Sequence, residues 1–261
     1  MDRSNIDKIA QNPEDRLLLA KLWDKIQPGI RRDIPVNTGF LSPREQEMAR
    51  LLFGNVPGLT AFGGYEDAER KMLLYLPEYL TEDFLMEESS PVVCLRASFY
   101  HTESPTHRDF LGALMGCGIR RDCIGDICVG ESSCDFFVAE EISEYLLEQF
   151  DSAGRVKLKL SAIALADANI PLPEFSQIRD TVASLRLDSV IASGFRIGSN
   201  LAFDAILAGK AAIDGLPCEK PDRQVTEGMK ISLRGYGKIK LESVGGQTKK
   251  GRISVVIHRY I

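Results

Sequence analysis

The chain has 261 residues, of which 44% are hydrophobic and 26% are charged, and its formal net charge is −5. This composition is typical of a globular protein with a sizeable core, and the length fits one to three domains. No apolar run approaches the roughly 18 residues of a membrane span, and the first residues lack a signal-peptide core, so we expect a cytoplasmic protein without a membrane segment.

The charges are distributed unevenly along the chain. Residues 1–75 hold 11 basic and 11 acidic side chains, residues 76–183 hold 8 and 19, and residues 184–261 hold 13 and 7. The net charges of the three segments are therefore 0, −11 and +6. A basic segment joined to a neutral or acidic body is typical of a nucleic-acid-binding module, so the last segment is the first candidate for function.

The N-terminal segment, residues 1–75, has the pattern of a small α/β unit. Apolar residues at helical spacing predict one long helix that ends at Pro28. A second helix is predicted from Ser42 and Glu45, which can form a capping box. A buried strand is expected at 72–76.

The central segment, residues 76–165, has the element order β-α-β-β-α-β, which is the ferredoxin-like arrangement that RNA-recognition-motif (RRM) domains also use. The predicted elements are strand 92–100, helix 106–115, which Thr106 and Asp109 should start as a cap, strands 124–129 and 134–138, helix 139–150 and strand 155–160. The adjacent Phe136 and Phe137 should lie on opposite faces of the sheet. A base-stacking role for either is the minor alternative, because the aromatic RNA-recognition signature is absent and the net charge of residues 76–183, −11, disfavours a phosphate-binding face.

Four of the six cysteines lie between residues 117 and 134, which is the one concentration of metal-binding side chains. The intervals between them are five, four and five residues, whereas zinc sites draw ligand pairs from tighter turns. We therefore expect reduced, mostly buried cysteines, with no metal and no cofactor.

A linker is predicted for residues 166–183, because Pro171 and Pro173 interrupt a mixed polar stretch. The basic segment, residues 184–261, should then contain two short helices packed on a small sheet. Its predicted elements are helix 186–191, a turn at Ser193-Gly194, helix 199–207, a hairpin turn at Asp214-Gly215 and strands near 230–234, 238–241 and 252–257. The whole chain is thus expected to have an α+β fold.

The C-terminal residues resemble the RNA-binding domain that is named after small-subunit ribosomal protein S4. The resemblance rests on Arg186-Leu187-Asp188, Gly194-Phe195, Gly209-Lys210 and Asp214-Gly215. Further stretches are similar to the bacterial YlmH family and extend the resemblance over nearly the whole chain. These stretches are 234–241 and 245–252 in the tail and 106–114, 124–127 and 137–142 in the central segment.

The resemblance to that family implies binding to the large ribosomal subunit, with rRNA and tRNA as contacts, during rescue of stalled nascent chains by C-terminal tailing. DNA is not an expected partner, and a monomer is expected. The candidate RNA-binding residues are Arg186, Arg196, Ser199, Asn200, Lys210, Arg234, Lys238, Lys240, Lys249, Lys250 and Arg252. His107 and Arg108 form a possible second contact in the central segment.

The start of the second C-terminal helix departs from the S4-type pattern. Where such domains commonly place Ser-Arg and a further basic residue, this chain has Gly198-Ser199-Asn200-Leu201. Without these two cations, phosphate binding at the helix should be weaker and less salt-dependent. We therefore expect the main contact at Arg196, Lys210 and the tail, where glycines allow the backbone to approach phosphates.

The main alternative is an RNA-modifying enzyme such as a pseudouridine synthase. Those enzymes resemble one another in a catalytic aspartate within an Arg-Leu-Asp motif, and Asp188 stands in such a motif. The motif opens the small C-terminal segment, which is too short for a catalytic domain of that type. Phosphate-loop, dinucleotide and nucleophile-elbow motifs are absent, so we predict a non-catalytic protein. A ribosome-docking adaptor, in which the acidic central segment binds basic proteins, is compatible with RNA binding.

Overall fold

The computed structural model describes residues 3–80, 90–100, 105–171 and 174–261. The chain has the predicted α+β fold and forms two compact units, Met1–Pro171 (unit 1) and Leu172–Ile261 (unit 2). Among the described residues, no single helix is long and apolar enough to cross a membrane. The helices Leu187–Phe195 and Ser199–Leu207 meet that test only together, across a bend of 120°.

Unit 1 begins with two helices, α1 (Ile6–Ile9) and α2 (Pro13–Arg32), where one was predicted. Asn12 separates them, because its side chain accepts a hydrogen bond from the Asp15 amide and caps α2. The predicted end at Pro28 is wrong. Pro28 lies on the exposed side of α2, so the carbonyl that loses its helical partner is on the solvent side and the helix continues.

A three-stranded antiparallel sheet follows, with the strand order β1-β3-β2. Its strands are β1 (Val36–Leu41), β2 (Leu59–Phe62) and β3 (Lys71–Tyr75). Helix α3 (Pro43–Phe53) has the predicted capping box, in which the Ser42 hydroxyl accepts from the Glu45 amide and the Glu45 carboxylate accepts from the Ser42 amide.

The central segment confirms the predicted order β-α-β-β-α-β. Its elements are β4 (Val92–Ser98), α4 (His107–Gly116), β5 (Ile124–Val129), β6 (Ser133–Ala139), α5 (Ser143–Gln149) and β9 (Lys159–Ile163), with the short ladder β7 (Ser152–Ala153) and β8 (Val156–Lys157) before β9. The four long strands form an antiparallel sheet in the order β5-β6-β4-β9. The predicted last strand is shifted toward the C-terminus, because its first residues form the ladder.

Both faces of this central sheet are covered. Phe136 packs on the helical side, with ring centroids 6.4 Å from Phe110 and 5.8 Å from Phe150. Phe137 points to the other face, where Tyr65 of the N-terminal segment lies 5.2 Å away. Both phenylalanines are fully buried, so neither is available to stack on a base.

Asp126 on β5 fixes the N-terminal segment to the central sheet. Its carboxylate accepts hydrogen bonds from the Tyr65 hydroxyl at 2.8 Å and from the amides of Glu69 and Arg70 at 2.6 and 3.0 Å. Burial, and then the bond to Asp126, raise the pKa of the Tyr65 hydroxyl. The boundary predicted after residue 75 therefore lies inside one unit, because the segments on either side share one hydrophobic core.

The buried Asp15 and the partly exposed Arg44 form an ion pair that yields a stability prediction. The Arg44 guanidinium donates two hydrogen bonds of 2.7 Å to Asp15, whose side chain is 3% exposed. These bonds hold the pKa of Asp15 below its ordinary value of 3.8. Replacing Arg44→Met should destabilise the protein by about 2–4 kcal/mol at neutral pH, because a buried carboxylate loses its partner.

The pH dependence follows from the lowered pKa of Asp15. Stability from this pair is present above the unfolded pKa and is lost as the pH falls through the folded pKa, so the difference between Arg44→Met and the parent should shrink below about pH 4. Urea unfolding at pH 7 and pH 3.5 measures this. Arg50→Met, at an exposed pair with Glu47, should change stability by less than about 1 kcal/mol. A difference for Arg44→Met that stays constant with pH would contradict the assignment.

Unit 2 packs two helices, α6 (Leu187–Phe195) and α7 (Ser199–Leu207), on one face of a six-stranded antiparallel sheet. The strand order is β10-β15-β14-β13-β11-β12. The strands are β10 (Phe175–Val182), β11 (Ala211–Ile213), β12 (Leu216–Pro217), β13 (Lys230–Leu233), β14 (Gly237–Gln247) and β15 (Ile253–Tyr260).

Two predictions in this region need correction. The stretch 166–183 is not only a linker, because its second half forms β10, which pairs along its whole length with β15; Pro173 lies outside the described residues. Ser193-Gly194 is not a turn but part of α6. Gly194 is there for close packing, because a Cβ at this position would lie 2.6 Å from Ile239 Cδ1.

Candidate RNA interface

Most of the predicted RNA-binding cations of unit 2 fall into two groups at opposite ends of its sheet. Strand β14 connects the two ends, and its 11 residues correspond to about 35 Å. The turn-end group, next to the β13–β14 turn, consists of the predicted Arg196, Lys210, Arg234 and Lys238, together with Arg259, which was not predicted. The hairpin-tip group, between β14 and β15, consists of Lys249, Lys250 and Arg252.

Contacts between three connecting segments hold the turn-end group together. These segments are the one that follows α6, the one that follows α7 and the β13–β14 turn. The amide of Arg234 donates to the carbonyl of Lys210 at 2.9 Å, which places the turn beside the end of α7. Tyr236 packs against Phe195 at 5.9 Å, and the Arg259 guanidinium lies 5.5 Å above the Phe195 ring. Arg196 follows Phe195 in a left-handed conformation that ends α6. Arg259 and Arg196 therefore lie at the aromatic pair, and Lys210 and Arg234 lie beside the adjoining turn.

Arg259 and Tyr236 were missed as site residues in the sequence. Arg259 comes from the last strand and reaches this group only because β15 pairs with both β10 and β14. The signal that was available is Tyr236 itself, a partly exposed aromatic between two glycines in a basic stretch.

The hairpin-tip group presents two lysines on a short turn. Thr248 donates its amide to the Arg252 carbonyl at 2.7 Å, and Lys249 and Lys250 lie exposed in the turn between them. Arg252 is held differently, because its guanidinium donates to the hydroxyl and the carbonyl of Thr181 on β10. Gly245 and Gly246, two of the glycines expected to let the backbone approach phosphates, lie within β14 at an irregularity of its register.

Arg186 lies at the hairpin-tip end and is paired. It precedes α6 and donates to Asp188 at 2.6 Å, and the Asp188 side chain is 14% exposed. Partial burial opposes ionisation of Asp188, but the bonds from Arg186 and from the Ser189 amide outweigh it and lower its pKa. The aspartate of the Arg-Leu-Asp motif is thus a partner of its neighbouring arginine.

Helix α7 offers amides but no cations. Gly198 caps it without a side-chain hydrogen bond, and Ser199 and Asn200 are exposed in its first turn. The remaining exposed surface of the helix is largely apolar, with Leu201, Phe203 and Leu207 between 41% and 53% exposed. Because the expected cations are absent from this helix, the positive charge near it comes from the segments before and after it.

Lys240 belongs to neither group. Its ammonium pairs with Glu242 at 2.8 Å, and His258 Nδ1 lies 3.4 Å from the same carboxylate. The hydrogen bond from Lys240 lowers the pKa of Glu242, and the positive charge of Lys240 adds to this effect. Much of the charge of Lys240 is compensated locally.

The possible second contact lies in unit 1. His107 and Arg108 are exposed in the first turn of α4, where the predicted capping box is present: the Thr106 hydroxyl accepts from the Asp109 amide, and Asp109 accepts from the Thr106 amide at 2.8 Å. Unit 1 also has open cavities of about 720 and 730 Å³, neither of which includes these residues. Within the described ranges, no three His, Cys, Asp or Glu side chains are grouped so that they could hold a metal ion.

Three kinds of comparison with known proteins each find a match. A sequence profile described as "Putative RNA-binding domain in YlmH" matches residues 99–167. The chain is 35% identical over 224 residues to "Ribosome-associated protein quality control protein P2" of Bacillus subtilis (strain 168), over 85% of this chain and 86% of that protein. The solved structure "Cell division protein ylmH from Streptococcus pneumoniae" has a TM-score of 0.50 at 20% identity, over 62% of this chain and 98% of its own, and it shares the fold.

Proposed function

Because this chain belongs to the YlmH family, we propose that it is a non-catalytic RNA-binding protein of ribosome-associated quality control. In this proposal it acts in the cytoplasm as a monomer. It contacts rRNA and tRNA on the large ribosomal subunit when stalled nascent chains are rescued by C-terminal tailing. Unit 2 acts as the S4-type domain, and the central segment has an RRM-like arrangement.

The observation that carries this proposal is the spacing of the two cation groups. They lie at opposite ends of one sheet, separated by a strand of about 35 Å, which is close to one turn of a nucleic acid duplex. Lysine and arginine at both ends can bind phosphates of the same structured RNA, and these contacts release counterions. The RNA lies along the direction of β14 and meets the turn-end group and the hairpin-tip group together.

The central segment makes a second contact, through the start of α4 and not through its sheet. The matching profile covers residues 99–167, which include His107 and Arg108. The sheet face that RNA-recognition motifs use for stacking is occupied by Tyr65 over Phe137. An adaptor role, in which acidic surfaces of this segment bind basic ribosomal proteins, is compatible with this arrangement.

Charge reversal at the hairpin tip tests the proposal. The variant Lys249→Glu, Lys250→Glu, Arg252→Glu should lose most of its co-sedimentation with purified large subunits, because three positive charges become negative at a phosphate contact. The same change at Lys8, Lys21 and Lys25, on the N-terminal helices of unit 1, serves as a control and should leave co-sedimentation unchanged. If the tip variant sediments as the parent does, the tail is not the RNA contact.

The pseudouridine synthase alternative is tested by incubating the protein with rRNA and assaying uridine isomerisation. We expect no isomerisation, because Asp188 is held by Arg186 and the Ser189 amide. Isomerisation that disappears in Asp188→Asn would establish the enzyme instead.

A further inference from the structure

The sheet of unit 2 has a second face, opposite α6 and α7, on which polar and aromatic side chains alternate with the buried core. On the helix side, Ile239 and Ile257 are fully buried. On the other side, the strand register aligns Gln177 with His258, His258 with Lys240, and Lys240 with Lys230. We call this surface the open face. Its side chains that enter the argument are Phe175, Arg179, Lys230, Lys238, Lys240 and His258.

The aromatic part of the open face is preformed. Phe175 and His258 stack with ring centroids 4.0 Å apart and an interplanar angle of 16°. The ring of His258 is fixed from its edges, since Gln177 Nε2 lies 3.4 Å from Nε2 and Glu242 lies 3.4 Å from Nδ1. Phe175 is 45% exposed, so its outer surface remains available to another flat ring.

The charge of the open face is positive. Four cations stand on the strands around the aromatic pair, namely Arg179 on β10, Lys230 on β13, and Lys238 and Lys240 on β14. On the described strands, the register places the acidic Glu242 on this face. Its carboxylate lies within ion-pair distance of Lys240 and His258. The charge complements a polyanion.

Flat aromatic rings beside lysines on an exposed sheet are the chemistry by which proteins bind unpaired nucleotides. Each base has a π-face that can stack, and the backbone phosphates meet the cations without regard to sequence. A duplex keeps its bases stacked inside and could use only the cations. The exposed Phe175 is therefore the feature that favours a single strand.

We propose that the open face binds single-stranded RNA, with one unpaired base stacked on Phe175 and the flanking phosphates on Arg179, Lys230 and Lys238. The inference rests on the proposed RNA-binding function and adds to it a second surface on the same domain. In this proposal, a structured RNA binds to the turn-end group and the hairpin-tip group. A single-stranded segment that adjoins it then reaches the open face, which lies between the two groups.

The test uses the full chain and two fluorescent probes, an oligouridylate of about eight nucleotides and an RNA hairpin with a short loop, in anisotropy titrations. Phe175→Ala should weaken oligouridylate binding at least about fivefold, whereas hairpin binding should stay within about twofold of the parent. Phe175→Trp should restore or improve binding, because it keeps a stacking ring. Tyr145→Ala, at an exposed aromatic of unit 1, is the matched control and should change neither.

The cations are tested by salt dependence. In Arg179→Gln, Lys230→Gln the slope of log affinity against log salt for the oligouridylate should fall by about 1.4, since each phosphate contact contributes about 0.7 for a single strand. Oligouridylate binding that is unchanged in Phe175→Ala, or absent in a parent that binds the hairpin, would overturn the open-face proposal alone. A parent that binds neither the hairpin nor the large subunit would overturn the RNA-binding function itself.

Discussion

Reversing cations at both ends of the unit 2 sheet is expected to reduce affinity for a long RNA hairpin by about 100-fold or more. The combined variant is Lys210→Glu and Arg234→Glu at the turn end with Lys249→Glu and Lys250→Glu at the hairpin tip. Each cation that contacts a phosphate contributes about 0.9 to the salt slope for a duplex, so the slope should fall by about 3 to 4. Filter binding at several salt concentrations measures both quantities.

The length of the RNA separates a bridging contact from two independent ones. A hairpin whose stem exceeds one helical turn reaches both groups. Its binding should therefore be weakened by the double variant at either end, Lys210→Glu with Arg234→Glu or Lys249→Glu with Lys250→Glu. A stem of about half a turn reaches one group at a time, so each double variant should weaken its binding only by about twofold, because the other end remains available. Equal losses for short and long stems would contradict the bridging geometry.

Gly64→Ala is expected to destabilise the protein by about 2–5 kcal/mol. Gly64 has φ of 95°, a conformation that costs an L-residue about 1–2 kcal/mol. The added Cβ would lie 2.4 Å from Cδ1 of the fully buried Phe137 and 3.3 Å from Val92, so the strand or the loop must move. Overpacking of this kind adds about 1–3 kcal/mol.

Urea unfolding gives the change in stability, and Gly112→Ala is the matched control. Gly112 lies on the exposed side of α4, and a Cβ there meets nothing within 4 Å. Its replacement should stabilise the helix by about 0.5–1 kcal/mol. If both alanine variants unfold at the same urea concentration, the N-terminal segment does not pack on the central sheet as described.

The sequence was sufficient to predict those local features, helix caps and tight turns, that depend on a few neighbouring residues. The capping boxes at Ser42 and Thr106 are present, since each needs only an acceptor and an acid three residues later. The two-residue turn at Asp214-Gly215 joins β11 to β12 with both residues at positive φ, as the hairpin signal predicted. None of these depends on distant parts of the chain.

Long-range pairing could not be predicted in the same way. Strand β10 buries only Ile178 and Val182, four residues apart, so it lacks the alternation that marks a strand. Its partner β15 lies about 80 residues further along the chain. The candidate cations could be identified in the sequence for the same reason that any lysine or arginine can. Their division between two ends of one sheet could not, because it depends on the length and register of β14 and β15.

The pairing of β10 with β15 also has a consequence for the order in which this protein is made. Of the described strands, β15 is the last to leave the ribosome, yet it lies between β10 and β14 and joins them. Unit 1 can fold during synthesis, whereas the sheet of unit 2 is completed only when residues 253–260 have emerged. A chain whose own synthesis stops before that point lacks Arg259 and the strand that holds both cation groups in one sheet. Incomplete copies therefore lack the finished sheet on which the proposed RNA contact depends.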